Sequence, residues 1–315
     1  MLNLTLRQIR TFECAARLLH FGRAAKEMHL TQPAVSLQMR ELESIIGLPL
    51  FERMNRRLYL TRTGEVLLEH SHRMLGLLRE VGEEMGALRG AGGGEIRIAV
   101  LSTGKYLVPR LLAEFRQQQP AVRISFSFNN REALIRELVQ NNVDLAIMGG
   151  APQGIDSVAI PFAKHPLAIV AAPDHPLAGK RSMPLDRLAG ETFLIRERGS
   201  GTRGTMERLF AQSGFVPTET IEISSNETIK QAVMAGMGVS FLSLHTMGLE
   251  IDTGRIVVLR VRETPLVRQW NIVHRKDKRL SPAAAEFKAF LLRQGATLIH
   301  RTTTASTHKN TNKNK

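Results

Sequence analysis

The stretch FGRAAKEMHLTQPAVS, residues 21–36, decides how this chain begins to fold. Phe21, Ala24, Ala25, Met28 and Leu30 fall at helical spacing, and the paired alanines let a second helix cross close by. Thr31 carries the hydroxyl of a helix N-cap. Pro33 suits a first helical turn, where its missing N–H is not needed. A new helix is therefore expected to start at Thr31. It buries Val35, Met39, Leu42 and Ile46 at steps of four, three and four, and its other face shows Gln32, Ser36 and Arg40 at steps of four. Short polar and cationic groups of this kind suit base edges and phosphates.

Upstream, Leu6, Ile9, Phe12, Cys14, Ala15, Ala16 and Leu19 give an earlier helix its apolar face. Downstream, Leu48 to Arg53 closes the core, and Asn55 to Thr61 reads as a small basic ribbon, a wing able to reach an adjacent groove or backbone. Next comes one long helical pattern over 61–89. Its seam runs Leu67, Ser71, Met74, Leu78, Val81, Met85, Leu88, alternating steps of four and three. Such a heptad seam predicts pairing between helices of two chains. Glycines 90 and 92–94 break the pattern and read as a hinge.

After Glu95 the texture changes to alternating strands and helices, beginning with the buried strand Ile96–Val100. Strands are expected near 122–128, 144–148, 167–171, 192–195, 219–223, 239–242, 256–259 and 267–273. Helices are expected near 106–118, 133–140, 205–213, 228–235 and 282–293. The alternation predicts an α/β module with a largely parallel sheet. About two hundred residues suits two lobes better than one. The expected division is 1–62 head, 63–89 linker helix, 90–94 hinge, 95–297 two-lobed module and 298–315 disordered basic tail. Lobe I takes about 95–163 and 268–297, and lobe II about 164–267.

The 315 residues carry a net charge of +14, with 43% hydrophobic and 23% charged residues. That excess of positive charge predicts a polyanionic partner, nucleic acid or an anionic surface. No apolar run has the length of a membrane span, and Met1 to Arg10 lacks the layout of a signal peptide. Cys14 is the one cysteine, so no intrachain disulfide forms. A cytoplasmic location without membrane attachment is expected.

In a two-lobed module, ligands sit at the carboxyl ends of strands against helix N-termini. Leu101 to Lys105 and Arg198 to Arg203 each offer backbone N–H groups, a hydroxyl and a cation. Asn129 to Arg131 and Ser225 to Glu227 stand at two further helix starts. Together they predict a site for a small anion such as a carboxylate or phosphate.

The run from Phe21 to Ser36, with Arg40 to Glu43, Gly47 to Arg53 and Leu60 to Gly64, resembles the winged helix-turn-helix of LysR-type transcriptional regulators. The resemblance implies an α/β chain with that head, a dimerisation helix and a two-lobed, periplasmic-binding-protein-like effector module. It implies that Gln32, Pro33, Ser36 and Arg40 approach the major groove, and that Arg53, Arg56 and Arg57 touch backbone or minor groove. Arg23, Thr31 and Gln38 complete the expected DNA-facing set. Residues 95–293 resemble the narrower group that controls Calvin-cycle (RuBisCO) operons. The likeness is carried by Ser102 to Tyr106, Asn130 to Glu132, Leu145 to Gly149, Asp174 to Gly179, Gly199 to Arg203 and Ser225 to Glu227. Ile229 to Val233, Ser240 to Ser243, Arg268 to Trp270 and Lys278 to Ala284 add to it. This implies an activator of carbon-fixation genes, working as a homodimer or homotetramer on a double-stranded DNA operator. The implied effector is a phosphorylated Calvin-cycle intermediate or NADPH, and no cofactor is required. The expected effector residues are Ser102, Thr103, Lys105, Asn130, Arg131, Gly149, Ser200, Gly201, Thr202, Arg203 and Asn226.

Two other classes fit the sequence less well. An enzyme needs catalytic groups, yet the ten histidines are scattered and no His-Glu-x-x-His, Cys-x-x-Cys or Gly-x-Ser-x-Gly is present. A solute-binding receptor would share the two lobes but carry an export signal and no helix-turn-helix. Within the family, a LysR-type regulator of another metabolic operon, with a different small anion, is the alternative.

Overall fold

The computed structural model describes residues 3–55, 57–88 and 93–304. They divide into two compact units: residues up to Gly86 with the short segment Val139–Asn142, and the remainder.

In the first unit, α1 (Leu6–Leu18) starts from Thr5, whose Oγ1 accepts from the Gln8 N–H while Gln8 Oε1 accepts from the Thr5 N–H. This reciprocal cap satisfies two helix-end donors. α2 (Phe21–Glu27) is capped by His20, whose Nδ1 accepts from the N–H groups of Gly22 and Arg23. α3 (Gln32–Ile46) begins at Thr31 with Pro33 in its first turn, and it stops at Gly47, which takes a φ of 78°. That left-handed conformation is accessible to glycine at little cost. Phe12, Ala24, Ala25, Val35, Met39 and Leu42 meet in the core of these helices, with Leu50 beneath the ribbon. β1 (Phe51–Met54) pairs antiparallel with β2 (Arg57–Leu60). Glu43 Oε1 accepts from the N–H groups of Leu50 and Phe51, tying the base of this ribbon to α3.

The long helix α4 (Arg62–Leu88) divides the expected seam. Leu67 packs against the head's own core, and Ser71 is fully buried, its hydroxyl donating to Leu67 O. The exposed apolar residues are Val66, Met74, Leu77, Val81 and Met85. The outward stripe therefore keeps the seam positions Met74, Val81 and Met85 and lacks the first two, because the first turns of the helix are also part of the head.

The second unit opens with β3 (Glu95–Leu101), α5 (Val108–Gln118), β4 (Arg123–Asn129), α6 (Arg131–Val139) and β5 (Leu145–Met148). β3 pairs parallel with both β4 and β5. The long β6 (Ser157–Ala171) follows, then β7 (Thr192–Arg196), α7 (Gly201–Gln212), β8 (Glu219–Ile223), α8 (Asn226–Met234) and β9 (Ser240–Ser243). α9 (Gly248–Asp252), β10 (Val257–Val258), β11 (Leu266–Arg275), α10 (Pro282–Phe290) and α11 (Ala296–Thr304) complete it. Among the described residues, one sheet runs in the order β10-β6-β11-β5-β3-β4, with β9 also pairing to β6.

That sheet is mixed rather than largely parallel. β11 runs antiparallel to β5 and β6, and β9 and β10 run antiparallel to β6. Sequence reading saw only the last third of β6, because Pro161 and Pro166 interrupt its pattern. Proline lacks a ladder donor and is confined to edges and bulges. The register indeed slips here: Trp270 faces Ala163, but Asn271 faces Pro161. β6 and β11 together serve two cores. Phe162, Ala163, Trp270 and Ile272 join the core formed by β3, β5, α5 and α10. Leu167, Ile169 and Ala171 join one formed with β7, α7 and β9. Two lobes thus share two crossing strands.

The C-terminal end differs from expectation as well. The sequence predicts a disordered tail over 298–315, yet Ala296–Thr304 is helical and Leu298 and Ile299 are buried in the first core. Gly295 does not end the helix. A Cβ there would come within 2.7 Å of the Phe162 ring, so glycine permits close packing. Arg56, residues 89–92 within the linker and hinge, and 305–315 of the expected tail lie outside the described residues.

Candidate DNA-facing surface and ligand cleft

On the head, Thr31, Gln32, Pro33 and Arg40 are exposed along α3, and Ser36 is half-buried between them. Gln38 departs from this set: it is half-buried, and its Oε1 is enclosed without a hydrogen-bond partner. Arg23, Arg53 and Arg57 converge with His20, Gln32 and Tyr59 on an open groove that no carboxylate lines. Arg23 is steadied there by donating to Leu18 O at 2.7 Å. An acid-free groove beside a helix N-terminus is an anion surface.

The second unit holds a narrow pocket where the two lobes meet. It is lined by Leu101, Ser102, Thr103, Asn130, Arg131, Gly149, His165, Leu167, Ser200, Gly201, Thr202 and Arg268. Strand ends and helix starts supply most of these. Ser102 and Thr103 follow β3, Asn130 and Arg131 open α6, Gly149 follows β5, and Ser200 to Thr202 open α7. Ser200 stands at the N-cap of α7 without using its hydroxyl on the cap. Thr103 Oγ1 is buried with no hydrogen-bond partner.

Three expected residues lie outside this lining. Arg203 turns away, held by Glu207 and Glu222 and donating to Arg196 O. Lys105 is exposed, with Nζ 5.9 Å from the Phe128 ring centroid. Asn226 is buried behind the cleft, where its Oδ1 accepts from Arg196 Nη1. Arg196 Nη2 in turn reaches Ser102 Oγ at 3.4 Å, linking β7 to the turn after β3.

Two polar lining residues, Arg268 and His165, carried no mark in the sequence. Arg268, on β11, donates to Gly149 O and Thr205 Oγ1. Arg131 donates to Ala151 O at 2.8 Å and to Gly150 O at 3.4 Å. A guanidinium has five N–H donors, so each keeps donors for a ligand. Both are less basic than usual, first through burial and then through neighbouring cations, Arg208 for each and also Arg131 for Arg268. No carboxylate is among the lining residues. His165, on β6, is stacked on Trp270 at 4.1 Å between centroids, and its Nε2 meets Ser243 Oγ at 2.9 Å. His245 continues the stack and accepts the Trp270 indole N–H at 3.1 Å.

Burial lowers His165 from 6.5 to about 3, helped by His245 and Arg268, and burial alone lowers His245 to about 4. Both imidazoles are therefore neutral when folded and bind protons near 6.5 when unfolded. Their contribution to stability is full above pH 6.5 and is lost as pH falls through the window below it. The thermal midpoint of the second unit should drop steadily from about pH 6.5 towards 4. A midpoint flat across that range contradicts the assignment.

The family described as "Bacterial regulatory helix-turn-helix protein, lysR family" matches residues 6–65, and "LysR substrate binding domain" matches 89–296. The HTH-type transcriptional regulator CfxR of Cupriavidus necator is 48% identical over 298 residues, which is 95% of this chain and 94% of that protein. The RuBisCO operon transcriptional regulator of Allochromatium vinosum is 46% identical, covering 94% of this chain and 98% of its own. The regulatory domain of CcmR from Synechocystis PCC6803, solved in complex with 2-PG, is 39% identical with a TM-score of 0.61, over 64% of this chain and 96% of that one.

Proposed function

Because this chain belongs to the LysR family of bacterial transcriptional regulators, we propose that it activates carbon-fixation genes in response to a small phosphorylated acid bound between its lobes. The chain is a regulator, not an enzyme. The observation that carries the effector reading is the cleft itself. Two guanidiniums with spare donors, an uncommitted Ser200 hydroxyl and the start of α7 line a space that holds no carboxylate. The neighbouring CcmR domain, which binds 2-PG, supports the same class. Of the two implied effectors, the likeness to the CcmR domain solved with 2-PG favours a small phosphate over NADPH. Ser102, Thr103, Asn130, Arg131, Gly149, Ser200, Gly201 and Thr202 are assigned to this site, with His165 and Arg268 added.

In the head, Gln32, Pro33, Ser36 and Arg40 are assigned to base edges and adjoining backbone, and Arg23, Arg53 and Arg57 to phosphates. The exposed stripe Val66, Met74, Leu77, Val81 and Met85 supports pairing of α4 with a second copy, and two heads then meet two half-sites. Residues up to about 62 form the DNA-reading domain, 63–89 the dimer helix and 95–304 the effector module. The work is done in the cytoplasm, where operator and metabolite meet. No described helix is long and apolar enough to cross a membrane. The effector acts by its unequal affinity for two arrangements of the assembly.

A thermal-shift screen against phosphorylated acids and nicotinamide nucleotides tests the effector class. At a hundredfold excess over Kd, a ligand specific for the folded state adds about 2.7 kcal/mol. Small phosphates should raise the midpoint and NADPH should not; the reverse pattern overturns the choice.

A further inference from the structure

We infer that His165 contacts the effector directly and that an anionic effector enters the cleft together with one proton, which this imidazole takes up. The inference rests on reading the cleft as an effector pocket. It begins from an orphan atom. His165 is 4% exposed, yet its Nδ1 has no hydrogen-bond partner. A buried polar group left unpaired is costly, so it calls for an explanation. The ring lines the cavity, and Nδ1 lies 3.6 Å from where a Cβ on Gly149 would stand. It cannot readily turn to find a protein partner, because Trp270 covers one face and Ser243 holds Nε2. A ligand oxygen in the cleft supplies what is missing.

The charge around the ring sets its protonation. From β11 comes Arg268, from α6 Arg131, and from α7 Arg208, whose Nη2 donates to the same Thr205 Oγ1 that Arg268 holds. From the turn after β9 comes His245, its Nδ1 occupied as an acceptor by Trp270. Lys164, next in β6, is exposed, and neighbouring strand residues point to opposite faces. Ser243 and Gly149 bring no charge, and no carboxylate lines the space. The empty pocket is cationic, so the imidazole stays neutral. A bound phosphorylated acid, with its phosphate and carboxylate charges, offsets that field and favours the charged imidazole. Nδ1–H then donates to the ligand and Nε2–H to Ser243 Oγ, since a serine hydroxyl serves as acceptor as readily as donor. The proton comes from solvent and no covalent bond changes.

A Cβ at position 149 would stand 3.6 Å from His165 Nδ1 and 3.8 Å from the Arg268 guanidinium, so this position faces both groups. The expected consequence is an effector affinity that weakens about tenfold per pH unit above the pKa that His165 reaches in the complex.

Calorimetric titration of the full-length protein tests this. The probes are 2-phosphoglycolate, 3-phosphoglycerate and ribulose 1,5-bisphosphate at about pH 8, where phosphate esters with a second pKa near 6 are already dianionic. Each titration is run in two buffers of low and high ionisation enthalpy. The expected result is a buffer-dependent heat that reports net proton uptake by the wild-type protein, and none by His165→Gln, which binds more weakly. Heats identical in the two buffers, or the same uptake in His165→Gln, overturn the role of His165 while leaving the pocket reading in place. The wild-type measurement decides alone if the variant does not fold. No heat with any of the three probes contradicts the pocket reading itself, and His165 falls with it.

Discussion

Arg268→Ala is expected to weaken binding of the phosphorylated effector by roughly 30- to 1000-fold, equivalent to about 2–4 kcal/mol. Arg268 reaches across the floor of the cleft from β11, donating to Gly149 O behind β5 and to Thr205 Oγ1 on α7. It therefore supplies charge and also fixes the distance between two walls. Burial and the nearby Arg208 and Arg131 already make its cation costly to hold, a cost that an anionic ligand relieves. Arg203→Ala is the matched control. That side chain is occupied by Glu207 and Glu222, so effector affinity should stay within about twofold. Calorimetry on both variants makes the comparison. Equal losses would remove Arg268 from its assigned place.

Arg53→Ala combined with Arg57→Ala should lower operator affinity by at least about tenfold at low salt, and should reduce the salt slope by about two for each head. Both residues are exposed on the β1–β2 ribbon and share an acid-free groove with Arg23. The loss should be nearly uniform across operator sequences, because phosphate contacts carry no sequence information. Gln32→Ala is expected to behave differently, relaxing preference at one base position by about 1–3 kcal/mol with little change in salt slope. Fluorescence anisotropy over a salt series separates the two patterns. A sequence-dependent loss in the double variant would move the wing arginines from backbone to bases.

The head was legible because its signals are local. Thr31, Pro33 and Gly47 mark the ends of α3 by cap and turn chemistry, and the observed helix follows them. The strand-end residues of the cleft were legible for a similar reason: Asn130 and Ser200 stand where helices begin. His165 and Arg268 carried no such mark. They meet as paired residues of two antiparallel strands, more than a hundred positions apart in sequence, and nothing local announces that register. Arg268 did stand in one of the runs that carried the family resemblance, with no role attached. Arg203 erred in the other direction, although Glu207 at i+4 signalled an ion pair along the helix. The predicted seam of α4 coincides with the exposed stripe at Met74, Val81 and Met85, but its first two positions, Leu67 and Ser71, belong to the head's core. Sequence periodicity reports that a face is apolar, not which neighbour covers it.

On the proposed function, the head reads operator DNA under the control of an anion held in the cleft. DNase I footprinting of a RuBisCO-operon promoter, with the full-length protein and with or without 2-phosphoglycolate, tests it most directly. Two protected half-sites, with a protected length that changes when the metabolite is added, are expected. A promoter left unprotected under both conditions, or a footprint indifferent to every phosphorylated acid tried, contradicts it.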